Sequence, residues 1–160
     1  MLESQLRDEH HVWSGRSGDC EAQMHFLSKC VSMSFADAVG ATKEALERQK
    51  FSILAEIDMR QVLRSDLSVD FRPYLILNAC SLPLAHRAIE ADHVIASMLL
   101  CEVVIQEHRD ARVEISVVDP TSAIGTINHV EMISIAQELQ SLLRKVVADI
   151  EASPRFHRAA

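Results

Sequence analysis

The sequence predicts one α+β domain in which an antiparallel sheet of about five strands is covered by helices on one side. Three observations carry that expectation. Apolar segments of strand length, several alternating with polar residues, recur between Phe51 and Val118. The last long segment, from Met132 to Ile150, places its apolar residues at helical spacing. Hydrophobic residues make up 48% of the 160 residues but aromatics only 4%, so the core is aliphatic and the chain is long enough to bury it without a disulfide or a metal.

Residues 1–22 show neither a helical nor a strand period and read as a flexible leader around Trp13. The His10-His11 pair there suits a metal, although adjacent histidines in a polar arm are more simply solvated. Residues 23–152 form the predicted domain, and residues 153–160 a tail carrying Arg155, His157 and Arg158. Met24, Phe26, Leu27, Cys30, Val31 and Met33 give a first strand over residues 23–33. Ser34, followed three residues later by Asp37, resembles a capping box that starts a helix at Phe35. Its stripe is Phe35, Ala38, Val39, Ala45 and Leu46.

Phe51, Ile53, Ala55 and Ile57 then alternate as the dry face of a second strand, which leaves Glu56 and Asp58 together on the wet face. Two carboxylates so placed suit acid/base work or a hard metal, yet a solvated strand end explains them as well. Residues 59–67 read as a short helical or irregular link. Residues 74–79 are a buried strand that stops at Cys80; Ser81 is placed as N-cap, Pro83 falls in the first turn, and a short helix continues to Ala91 with His86, Arg87 and Glu90 outward. After the apolar patch 94–100, Cys101 opens a strand in which Val103 and Ile105 alternate with Glu102 and Gln106. A polar hairpin over residues 106–112 leads to the strand Val113, Ile115, Val117, ended by Asp119-Pro120. Residues 121–129 read as loop before the long terminal helix.

The unusual residues concentrate in residues 71–107. If the strands around the short helix are antiparallel neighbours, Cys80 and Cys101 meet at one end of the sheet, where they could share a bond or, with His86, a soft or borderline metal. The plainer alternative has both thiols packed in the interior and pointing to different faces. The formal net charge of −7 without a basic stripe argues against nucleic acid and anionic membranes. No apolar run approaches the roughly 18 residues of a membrane span, and the N-terminus lacks a signal-peptide core, so the expectation is a cytoplasmic protein with reduced cysteines.

The segments SFADAVGATKEALERQKFSILAEIDM, FRPYLILNACSLPLAHRAI and MLLCEVVIQE, followed by VVDP and the long helix, resemble the domain-of-unknown-function family 302 over about residues 33–150. The first is similar to the family's helix and Glu-Ile-Asp strand, the second to its Gly-Ala-Cys-Asn-Pro region, the third to its Leu-Pro-Cys strand. Here Ser81 and Leu82 stand in place of Asn-Pro, and Lys50 stands where glycine often turns helix into strand. The resemblance implies a TATA-binding-protein-like fold in a β-α-β(4)-α arrangement, commonly paired as a dimer. With no phosphate loop, zinc-ligand spacing or nucleophile elbow, the preferred function is a non-enzymatic homodimeric module with a modest apolar ligand pocket near Cys80, His86 and Cys101, without cofactor. The alternatives are thiol redox chemistry at Cys80 and soft-metal binding by Cys80, Cys101 and His86.

Overall fold

The computed structural model describes residues 26–150, so the leader with His10, His11 and Trp13 and the tail lie outside the described residues. The chain runs β1 (Phe26–Val31), α1 (Phe35–Arg48), β2 (Ser52–Asp58), α2 (Met59–Leu67), β3 (Tyr74–Cys80), α3 (Leu82–Ala91), a 3-10 helix (Ile95–Leu99), β4 (Cys101–Glu107), β5 (Val113–Val118), α4 (Pro120–Ile124) and α5 (Val130–Asp149). The five strands form one sheet in the order β1-β5-β4-β3-β2, every neighbour antiparallel.

Alternation decides the layers. Leu77, Ala79, Cys101, Val103, Ile105, Val113, Ile115 and Val117 are all buried, and the registers place them on one face of β3, β4 and β5. Against that inner face pack α1 and α5. The buried side of α1 is small, with Ala38, Ala41, Thr42 and Ala45 beside Leu46, which lets the helix approach closely; the buried Thr42 hydroxyl donates to the Ala38 carbonyl at 2.7 Å. The buried side of α5 is larger: Met132, Ile135, Ala136, Leu139, Leu143 and Val146. Lys29, on the inner face of β1, donates to the Val147 and Ala148 carbonyls at 3.4 and 3.5 Å, placing a cation at the negative end of α5.

The helix ends follow local chemistry. Ser34 accepts from the Asp37 amide at 3.1 Å while its hydroxyl donates to the Asp37 carboxylate at 2.7 Å, so aspartate closes this cap on the serine side chain instead of the backbone. The C-terminal end of α1 is a Schellman turn: Phe51 N–H donates to Leu46 O, Lys50 N–H to Glu47 O, and the buried Phe51 and Leu46 side chains sit at the positions that such a turn brings together. Lys50 stands at φ 64°, the left-handed conformation in which a glycine would carry no strain.

Four expectations change. A bulge between Ile53 and Ala55 shifts the phase of β2, so Ile53 pairs with Ala79 on the inner face while Ala55 and Ile57 pair with Asn78 and Ile76 on the outer one. The dry face read from the sequence is therefore split. Ser81 is the N-cap residue of α3, but its side chain makes no cap hydrogen bond. Asp119-Pro120 begins a helix where a loop was expected: proline takes the first turn, and Asp119 Oδ1 accepts from the Thr121 amide at 2.9 Å and its hydroxyl at 2.7 Å. Finally, Cys30 is disulfide-bonded, so the expectation of reduced cysteines fails there, while Cys80 and Cys101 are free.

Candidate functional site

The end of β3 and the start of β4 do come together at one end of the sheet, but the partner of Cys101 is Ala79. The pleat therefore sends Cys101 into the helix-covered core and Cys80 to the opposite face. Cys101 is 4% exposed and its thiol lies 3.7 Å from the Leu99 carbonyl. Burial, with the neighbouring Cys80 thiol adding to it, pushes its pKa up to about 12. Cys80 is also buried, and that desolvation raises its pKa too; the N-terminal amides of α3 do not produce an activated thiolate. His86 stands out in solvent on α3, its Nδ1 3.7 Å from Glu90 Oε2. Among the described residues no group of three His, Cys, Asp or Glu side chains converges to hold a metal.

The two carboxylates of β2 do share a face, as their two-residue spacing requires, but it is not the wet face expected. After the bulge, Glu56 and Asp58 pair with Leu77 and Leu75 and so lie on the helix side of an edge strand. There Glu56 meets Lys43 of α1 at 2.7 Å, and Asp58 caps α2 by accepting from the Gln61 amide at 3.0 Å. Each has a structural partner.

The outer face is where the central stretch gathers accessible side chains. One row across it runs Phe26, Val118, Glu102, Asn78, Ala55, the Val118–Glu102 step following from the neighbouring Val117–Val103 pair. The next row runs Ser28, Ser116, Val104, Ile76, Ile57. Beyond it lies a polar lattice in which Gln106 and His108 meet Glu114 Oε2 at 3.2 and 2.8 Å, Ser116 donates to Oε1 at 3.2 Å, and Arg72 donates to Gln106 while lying over the Phe71 ring. These groups satisfy one another as cross-strand pairs do.

At the other end of the face, Asn78, Ser97, Leu100, Glu102 and Val118 line a recess of about 300 Å³. Cys80 belongs to the same face, one step beyond Asn78 along β3. A wider depression of about 480 Å³ lies between Ser32–Ser34 and the β4–β5 turn, where Asp110 and Arg112 already pair at 2.6 Å. Sequence reasoning singled out the two cysteines and passed over Asn78 and Glu102. The available signal was Asn78 itself, an amide inside the apolar run YLILNAC.

The family model for the domain of unknown function DUF302 matches residues 27–150. The chain belongs to the DUF302 family. Apart from Phe26, that match takes in every element from β1 to α5, including Cys80, Cys101 and the rest of the outer-face rows. The crystal structure of the uncharacterized conserved protein DUF302 from Bacillus stearothermophilus is similar to this DUF302 chain at a TM-score of 0.73 and 21% identity, covering 80% of this chain and 99% of that one. The likeness is one of fold. Among curated proteins none matches the sequence. No helix of the described residues is long and apolar enough to cross a membrane.

Proposed function

We propose that this DUF302 chain is a non-enzymatic homodimeric binding module whose working surface is the outer face of the sheet. One observation supports the reading: α1 and α5 pack on the inner face, while Phe26, Ile57 and Val118 are exposed and Ile76 and Val104 partly so on the other. An antiparallel sheet can leave one face in water when that face is polar. Large apolar side chains in adjacent rows instead gain from burial, at roughly 25 cal/mol per Å² removed from water. A twofold axis over this face would set the same rows against each other in both copies.

The recess beside Leu100 and Val118 is the place this reading gives to a small ligand, on the Cys80 side of the sheet; neither His86 nor Cys101 is among the described residues that line it. Thiol redox and soft-metal chemistry draw no support from two buried thiols on opposite faces with raised pKa values.

Light scattering at micromolar protein tests the dimer. The expected mass is twice the 17.9 kDa of one chain. Val104→Asp, at an outward position, is expected to give the single-chain mass with the melting behaviour of a folded protein. A single-chain mass for the unaltered protein removes the dimer, and a dimer that survives Val104→Asp moves the interface off this face.

A further inference from the structure

We infer that the recess lined by Asn78, Ser97, Leu100, Glu102 and Val118 is a binding site for a small organic ammonium ion, a primary amine carrying a short apolar group. The inference rests on the outer face being the working surface, but not on the dimer. Register puts Asn78 and Glu102 directly opposite each other on β3 and β4, so their side chains stand side by side on that face. Neither has a hydrogen-bond or ion-pair partner among the described residues, whereas Glu114, the other outward carboxylate of the β4–β5 pair, takes contacts from Gln106, His108 and Ser116. Ser97 donates its hydroxyl hydrogen to the Val94 carbonyl at 2.8 Å, so toward a ligand it can only accept.

The recess thus offers a carboxylate, an amide oxygen and a hydroxyl oxygen to a group with three N–H donors and a positive charge, which is the inventory of an alkylammonium. Its remaining walls are apolar: Leu100 is 50% exposed and Val118 41%, with Phe26 next to Val118 in the same row. Among the described residues no lysine or arginine lines the recess to compete for Glu102, and a volume of about 300 Å³ stands at the lower end of ligand sites, which selects a small molecule. An anionic ligand would meet the unpaired Glu102 carboxylate, and a neutral one would leave it unsatisfied.

The test is titration of isotopically labelled protein with n-butylammonium, 1-butanol and butyrate, followed by amide NMR. The expected result is a saturable shift of the Asn78 side-chain amide and of the Ser97, Glu102 and Val118 backbone amides with butylammonium. Binding of 1-butanol is expected to be weaker by about tenfold or more, the size of a lost charge-assisted hydrogen bond, with no saturable shift from butyrate. Glu102→Gln keeps the shape of an exposed side chain and is expected to bring butylammonium down to the 1-butanol level. Equal binding of amine and alcohol, unchanged binding in Glu102→Gln, or no saturable shift up to about 10 mM amine overturns the assignment. Light scattering on the same samples separates the two readings. A monomer that binds the amine loses only the dimer, and a dimer that does not bind it loses only this site.

Discussion

On the inner face Val103, Ile105, Val113, Ile115 and Val117 are sealed under helices, with no polar side chain among them; one residue away along the same two strands the outer face mixes Glu102, Gln106, Glu114 and Ser116 with Val104 and Val118. Both faces share one backbone and one set of ladder hydrogen bonds, so strand formation does not distinguish them. What separates them is the solvent each was selected to meet. The inner face gains stability by excluding water, which also silences any chemistry placed there, as the Cys101 thiol illustrates. The outer face gives up part of that gain and keeps groups that can still meet a partner.

The widest contrast concerns that thiol. A pKa of about 12 against an ordinary 9.0 leaves Cys101 with roughly a thousandth of the thiolate of an unfolded chain near neutral pH. Alkylation followed by peptide mapping is expected to label Cys101 in the native protein at least that much more slowly than in urea. Labelling at unfolded-like rates would mean that the inner face opens under native conditions.

Core truncation tests the energetic half of the comparison. Ile115→Ala, on the inner face, is expected to cost about 2–5 kcal/mol in urea denaturation, whereas Ile76→Ala, outward on β3, is expected to cost less than about 1 kcal/mol within a single chain. A larger loss at Ile76 that grows as the protein is diluted would place that side chain inside a dimer.

A smaller effect is expected where the sheet hands over to α4 and α5. Burial pushes the Asp119 carboxyl up, but hydrogen bonds from Thr121 and Gln140, with Arg144 nearby, overcome it and hold the pKa below the ordinary value of 3.8. A carboxylate depressed in the folded state adds stability that is fully present above its unfolded pKa and is lost as pH falls through the folded one. Asp119→Ala is therefore expected to cost about 1–3 kcal/mol at pH 7 and progressively less below about pH 4, the unaltered protein losing the difference. An equal cost at pH 7 and pH 2 in paired melts would show that the charge contributes nothing.

The smallest change is a gain. Lys50→Gly relieves a non-glycine residue at φ 64° in the turn from α1 into β2 and is expected to stabilise by roughly 1 kcal/mol without touching either face. A loss of stability would mean that the Lys50 side chain supports the turn more than its backbone conformation strains it.

Much of this architecture is legible in the residues because it rests on local periodicity. Period-two alternation marked β4 and β5, whose buried residues are the odd-numbered ones, and the 3.6-residue stripe marked α5 along nearly its whole length. Ser34 and Asp37 announced the start of α1, whereas Lys50 was marked only as standing where the family often has a turn glycine, and its left-handed φ of 64° came from the structure. The site was less legible. Cysteines attract chemical interpretation, while an asparagine in an apolar strand and a glutamate in an alternating one look ordinary until the strands are laid side by side.

By itself, the sequence determined the five strands, the helices α1, α3 and α5, their order, the aliphatic core and the membership of Cys80 and Cys101 in consecutive strands, because each depends on residues close together in the chain. Tertiary structure alone decided which residue stands opposite which. The bulge at Leu54 splits the dry face of β2 between the two sides of the sheet, the pairing of Ala79 with Cys101 separates the two thiols, and the pairing of Asn78 with Glu102 sets an amide beside a carboxylate. Because side chains alternate with a period of two, a shift of one residue exchanges the faces completely. Register is set by ladder pairing between segments distant in sequence, which no local pattern records.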